Sequence, residues 1–325
     1  MMNQSRRAFL RRAIATSSSI AIPALALHHS PSFGSTDRFS IHDQDWVDPA
    51  RDRLVPVRLY MPMATENSAP IPLVIFSHGI GGSRLGYTYL GRYWASNGFA
   101  SMHVQHIGSD RSIWFGNLFS LVSRLQEAAQ EQEAIARTND LRFALTRLLD
   151  SPLGGAIDSK NVIVAGHSYG SNTALLTSGA RVHRNGAPMD LRDPRITAAI
   201  LISTPPFYGQ TALSTILESV AIPTLHVTAT EDTIRIPGYY SGYEDRLAIF
   251  DAIGSKTKSL VVFEGGTHSI FTDRTNTGGA VLNQQIKEAT QELSLGFLKQ
   301  ITRKQDSDIL DWSERHKAIL FKVVA

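Results

Sequence analysis

The chain has no cysteine among its 325 residues. That removes disulfides, thiolate metal sites and a cysteine nucleophile together, while leaving the compartment open, since exported proteins need no disulfide. Charge is also modest, at 19% of residues against 42% hydrophobic, a balance that excludes a disordered chain. No run of eighteen apolar residues follows the N-terminal segment, so no further membrane span is expected. Nor is there a basic surface for nucleic acid. Arg6, Arg7, Arg11 and Arg12 all precede the first acidic residue, Asp37, and without these four the formal net charge falls from +3 to −1.

What is present at the start is ordered. In "NQSRRAFLRRAIATSSSIAIPALALHHS" a charged opening is followed by a Ser- and Ala-rich apolar stretch and then "ALA" at 24–26. The order Ser5-Arg6-Arg7-x-Phe9-Leu10 resembles a twin-arginine export signal ahead of a cleavage site. Residues 1–26 are therefore expected to be a signal peptide. The protein is expected to be exported to the periplasm or beyond, with no stable membrane insertion once the signal is removed.

From about residue 38 short β-rich runs alternate with helical ones. "LVPVRLYMP" (54–62) has a period of two, and "IPLVIFSHG" (71–79) is a near-continuous apolar run suited to a strand buried on both faces. "LGYTYLGRYWASNGF" (85–99) reads as a helix closed by Gly98, and "FASMHVQH" (99–106) as a strand. Residues 117–150 carry apolar side chains at helical spacing without Gly or Pro, so one or two helices are expected there. "NVIVAGHS", "ITAAILIST" and "PTLHVTAT" are further strands, "KSLVVFEGG" (258–266) is expected to be the last, and a helix is expected over about 280–301. The final twenty residues read as an amphipathic helix. Strands alternating with helices predict an α/β class with a mainly parallel central sheet and helices on both faces. One domain, 38–325, is expected, with insertions near 107–136 and 180–195.

"VIVAGHSYGSNTALL" (162–176) places Ser168 between Gly166 and Gly170 where a strand passes into a helix. So sharp a turn crowds the residues two positions either side of its apex, and glycine removes the Cβ atoms that would collide. The serine hydroxyl is thereby raised at a helix N-terminus, where developing negative charge is favoured. It needs a base, and the base needs an orienting carboxylate. Asp232 follows the strand "PTLHVTAT" and His268 follows "KSLVVFEGG", in the order Ser, Asp, His.

On these residues, with "PVRLYMP" and "FSHGIGGSRLGYTYLGRYWASNGF", the chain resembles the α/β-hydrolase superfamily over most of residues 50–300. Within it the resemblance is to serine hydrolases related to dienelactone hydrolases and platelet-activating-factor acetylhydrolases. It departs from dienelactone hydrolases proper, whose nucleophile is cysteine. The resemblance implies Ser168 as nucleophile, Asp232 rather than the adjacent Glu231 as acid, and His268 as base. It also implies an oxyanion hole from the backbone N–H groups of Tyr169 and Ile80, the latter in the "HGIGG" loop.

His167 and His78 are expected to pack and to order their loop. Asp140 and Arg137 are expected to form a structural or solvated ion pair. His106, Trp114 and Phe115 are candidates to line the substrate cleft. No histidine has metal-ligand spacing with a carboxylate, so no metal and no cofactor are expected. The expected partner is a small-molecule ester with a short to medium acyl group. Amide or polyester cleavage by the same residues, or a non-catalytic binding protein on the same fold, are the competing readings.

Overall fold

Residues 162–165 are buried on both sides of a sheet, and strand alternation decides which side each one serves. Val162 and Val164 enter one core cluster, Ile163 and Ala165 the other. In the neighbouring strand Leu73 and Ile75 join the first cluster, Val74 and Phe76 the second. The computed structural model of the chain describes residues 38–63, 69–184, 187–207, 209, 212–236, 239–305 and 309–325. The expected signal peptide lies outside them.

Nine strands form the main sheet in the order β1-β2-β4-β3-β5-β8-β9-β12-β13. They are β1 (Phe39–Asp48), β2 (Arg53–Pro62), β3 (Ile71–Ser77), β4 (Ala100–Val104), β5 (Ile157–His167), β8 (Ile196–Ile202), β9 (Thr224–Glu231), β12 (Lys258–Thr267) and β13 (Leu320–Val324). From β4 to β12 the neighbours are parallel, and the outer strands β1, β2 and β13 run antiparallel. Two ribbons stand apart, β6 (Arg181–Arg184) with β7 (Ala187–Asp190) and β10 (Ile234–Ile236) with β11 (Tyr239–Ser241).

The helices divide between the faces. α3 (Glu131–Leu149), α4 (Tyr169–Ser178), α5 (Leu213–Leu217) and α6 (Tyr243–Ala252) contribute to the first cluster. α1 (Thr88–Ser96), α7 (Ala280–Arg303) and α8 (Ile309–His316) contribute to the second. The indole of Trp94, fully buried, ties α1 to α7 by donating from Nε1 to Ser294 Oγ at 2.9 Å. This is the α/β-hydrolase fold, as the sequence leads one to expect.

The end of the chain departs from expectation in two ways. The last residues do not continue as a helix: α8 ends at His316, a short 3-10 turn follows, and β13 pairs antiparallel with β12, Val323 opposite Val261. The "FKVV" tail, with its two β-branched valines, gives the otherwise open edge of β12 a partner, and tertiary pairing outweighs the helical pattern before it. β12 is accordingly not the last strand. The stretch 117–150 divides at Gln130, whose backbone is extended (φ −68°, ψ 156°), into α2 (Leu121–Ala128) and α3. Among the described residues no helix is long and apolar enough to cross a membrane.

Candidate active site

Ser168 caps α4 with φ 54° and ψ −126°, a conformation that a non-glycine residue adopts only when its surroundings impose it. They do. A Cβ at Gly166 would lie 2.2 Å from the carbonyl oxygen of Gly170, and one at Gly170 only 1.9 Å from that of Ser77. Both contacts are with backbone, so alanine at either position would push β3, β5 and α4 apart. The Ser168 N–H donates to Ile202 O at 2.9 Å, which fixes the turn to the next strand.

At the carboxyl ends of β9 and β12 the other two residues arrive. His268 Nδ1–H donates to Asp232 Oδ1 at 2.6 Å, and Ser168 Oγ lies 2.8 Å from His268 Nε2. An ionised carboxylate only accepts, so the proton sits on Nδ1 and Nε2 is left to accept from the serine hydroxyl. Asp232 is fully buried, and burial alone would raise its pKa. The His268 imidazole, the Arg246 guanidinium and the Thr228 hydroxyl outweigh that and hold the carboxyl well below the usual carboxylate range. Arg246 Nη2 reaches Oδ1 at 3.3 Å and Thr228 Oγ1 reaches Oδ2 at 2.7 Å. Glu231, next in the chain, is exposed. The Asp232 N–H closes a turn onto the Ala229 carbonyl at 3.0 Å, and a Cβ on Gly266 would lie only 2.7 Å from that of Ala229, so position 266 has no room for a side chain.

The loop after β3 runs beside Ser168. A Cβ on Gly79 would lie 3.3 Å from Ser168 Cβ. Gly82 N–H closes a turn on Gly79 O at 3.0 Å, and Gly81 N–H donates to Ser109 O at 2.8 Å, leaving Ile80 between them. Ile80, Ser168 and Tyr169 share a cavity of about 480 Å³. Its further walls come from both expected insertions, with Leu125 and Ala129 from one and Val182 from the other, and from Leu176 and Phe207. Ser168 and Tyr169 are on its wall and His268 is not.

The three candidate cleft residues do not line this cavity. His106 is fully buried, donating from Nδ1 to Asp140 Oδ2 at 3.1 Å and accepting from Ser77 Oγ at 2.9 Å through Nε2. Burial, and then Arg137, Arg53 and Arg51, keep it neutral. Trp114 braces the loop instead, its Nε1–H donating to Gly81 O at 2.8 Å, and Phe115 is exposed. A period-based reading placed these side chains near the active edge but could not tell which way each pointed. Asp140 and Arg137 also part company. Asp140 accepts a two-pronged bond from Arg53 at 2.9 and 3.0 Å and pairs with Arg51 at 2.8 Å, while Arg137 turns towards the end of β3.

His78 does order its loop, with Nδ1–H donating to Gly79 O at 2.7 Å and Nε2 accepting from the His106 N–H at 3.1 Å. His167 does more than pack. Its Nε2–H donates to His268 O at 3.0 Å and its Nδ1 accepts from Tyr87 Oη at 2.8 Å, while Tyr87 Oη also accepts from the Gly79 N–H at 3.3 Å. Burial, reinforced by His268, pushes His167 down to about 3, so it stays neutral. Arg246, Thr228 and Tyr87 carry no local motif, and only the assembled sheet edge brings them to the site.

Comparison with known proteins agrees with this architecture. Residues 51–144 match the family described as platelet-activating factor acetylhydrolase, isoform II. The platelet-activating factor acetylhydrolase of Cavia porcellus is 23% identical over 264 residues, 71% of this chain. The chain spans about half of that relative, 55% of its length. A ferulic acid esterase from Streptomyces cinnamoneus, 20% identical, superposes with a TM-score of 0.65 over 89% of this chain and 98% of its own. The chain therefore has the α/β-hydrolase fold and is similar, over part of its length, to platelet-activating factor acetylhydrolase.

Proposed function

We propose that the protein hydrolyses carboxylic esters through an acyl-enzyme on Ser168, with His268 as base and Asp232 as orienting acid. The observation that carries this reading is the unbroken line Asp232 Oδ1–His268 Nδ1 and His268 Nε2–Ser168 Oγ, at 2.6 and 2.8 Å, ending on a strained elbow. The acetylhydrolase and esterase relatives support the ester class.

In the first step Ser168 Oγ attacks the ester carbonyl carbon while its proton passes to His268 Nε2. The carbonyl oxygen becomes an oxyanion held by the N–H groups of Ile80 and Tyr169, assisted by the positive end of α4. On collapse the carbon–oxygen bond to the alcohol breaks, and His268 returns its proton to the departing alkoxide. Water then attacks the acyl-enzyme with the same proton exchange, releasing the carboxylic acid and restoring Ser168. The departing alcohol must face His268 to be protonated. The acyl group is thereby assigned to the cavity on the Tyr169 side.

Purified protein assayed on a series of acyl esters and the matching anilides tests the reading. Ester hydrolysis with highest kcat/KM for short to medium acyl groups is expected, with anilides slower. Full rate in excess EDTA is also expected, because none of these steps uses a metal. Failure on every ester, or loss of rate on chelation, would contradict it.

Export is a further part of the proposal, resting on "SRRAFL" ahead of "ALA". Arg6→Lys with Arg7→Lys is expected to hold the protein in the cytoplasm. Unchanged recovery of the double variant outside the cytoplasm would remove the twin-arginine reading.

A further inference from the structure

Arg137 is not part of the Ser168–His268–Asp232 line, yet its side chain is fully buried. Buried guanidinium groups persist only where their N–H groups are met. Nε donates to Thr173 Oγ1 at 3.0 Å, Nη1 to Ser109 Oγ at 2.8 Å, and Nη2 to Ser77 Oγ at 3.1 Å and to the His78 carbonyl oxygen. Its plane lies over the Tyr169 ring, 4.5 Å from the centroid.

These partners are not a random sample of the core. Ser77 and His78 are the root of the loop that carries Ile80. Ser109 accepts the Gly81 N–H of the same loop through its carbonyl oxygen at 2.8 Å. Tyr169 and Thr173 form the first turn of α4, which carries the other oxyanion donor. A guanidinium is flat and rigid, so a single side chain bonded to both segments fixes their separation and tilt. Donors to an oxyanion act through such preorganisation, and small displacements forfeit much of their effect.

Resting on the hydrolase reading, we propose that Arg137 is a positioning residue for the oxyanion site, clamping the Ile80 loop to the first turn of α4. It acts through His78, Ser109 and Tyr169 without touching the reacting atoms. The side chain therefore matters when the carbonyl oxygen becomes charged and hardly at all when the substrate binds.

Arg137→Met and Arg137→Lys, made in the full chain, separate this role from a merely structural one. Active sites are counted with a fluorophosphonate, and kcat, KM and inhibition by a trifluoromethyl ketone bearing the preferred acyl group are measured. The ketone accepts Ser168 Oγ and its oxygen becomes an oxyanion, so its Ki reports on the donors directly. Both variants are expected to lose roughly 100-fold in kcat, with KM within about threefold and Ki rising in step with the loss in kcat/KM. Lysine keeps the charge but not the fork, so it is not expected to rescue. If neither variant folds, Ser109→Ala carries the test, since it removes one acceptor and leaves the charge in place. It should lose about tenfold in kcat with the same rise in Ki. Unchanged kcat per titrated site, or a change in KM with Ki unmoved, overturns the proposal. A wild-type protein that neither hydrolyses esters nor takes up the fluorophosphonate overturns the hydrolase reading beneath it, and this inference with it.

Discussion

Replacing His268 by alanine is expected to lower kcat by roughly 10⁶, the scale seen when a serine–histidine unit loses its base. Nothing else in the site offers a lone pair to the Ser168 proton. His167, whose ring centroid is only 4.8 Å from that of His268, has both nitrogens committed, to His268 O and to Tyr87 Oη. His167→Ala should therefore cost far less, acting through the position of His268. The pH profile follows from the same geometry. Only a neutral His268 ring has a lone pair for the Ser168 proton. Asp232 remains an acceptor in acid, because its carboxyl is held well below the usual range. Its depressed pKa stabilises the folded chain above the unfolded value of about 3.9, and that contribution is lost only as pH falls towards the folded one. A His268→Ala variant that keeps most of its rate would be incompatible with this chemistry.

Asp232→Asn is the second large effect, a drop in kcat of about 10⁴ if the carboxylate fixes the His268 tautomer. An amide can donate as well as accept, so it permits the ring to hold its proton on Nε2, where Ser168 needs a lone pair. The change also leaves the buried Arg246 facing a neutral group at 3.3 Å, so the rate should be expressed per folded, titrated site. Glu231→Gln is the internal control. Its side chain is exposed on the strand end, and its removal should leave kcat within about a factor of a few, as surface substitutions usually do. The reversed ranking would assign the orienting role to Glu231.

Much of this site is written locally in the chain. The elbow could be read from "GHSYG" because the two glycines answer a backbone collision that any residue with a Cβ would suffer, and the 1.9 and 2.2 Å contacts are that collision. Asp232 and His268 follow strands whose apolar runs are legible, so their arrival at one sheet edge follows from a parallel sheet. What the sequence withheld is direction and distance. His106, Trp114 and Phe115 lie beside the expected edge, but whether a side chain faces a cavity, a loop or solvent is decided by packing partners dozens of residues away. Arg137 and Asp140 share one helix three residues apart, the spacing of an ion pair. Their partners lie on different elements, and burial rewards those partners over each other. The C-terminal strand was hidden for a related reason, since "FKVV" extends only because β12 presents an unpaired edge to it.

The central claim is that Ser168 is a nucleophile activated by its surroundings, and covalent labelling reads that activation directly. A fluorophosphonate reacts with a serine whose proton is being removed and spares ordinary hydroxyls. Mass mapping of the labelled chain should find one phosphonylated residue, Ser168, with labelling abolished in Ser168→Ala and greatly slowed in His268→Ala. Unmodified protein, or label of equal amount in Ser168→Ala, would contradict the assignment.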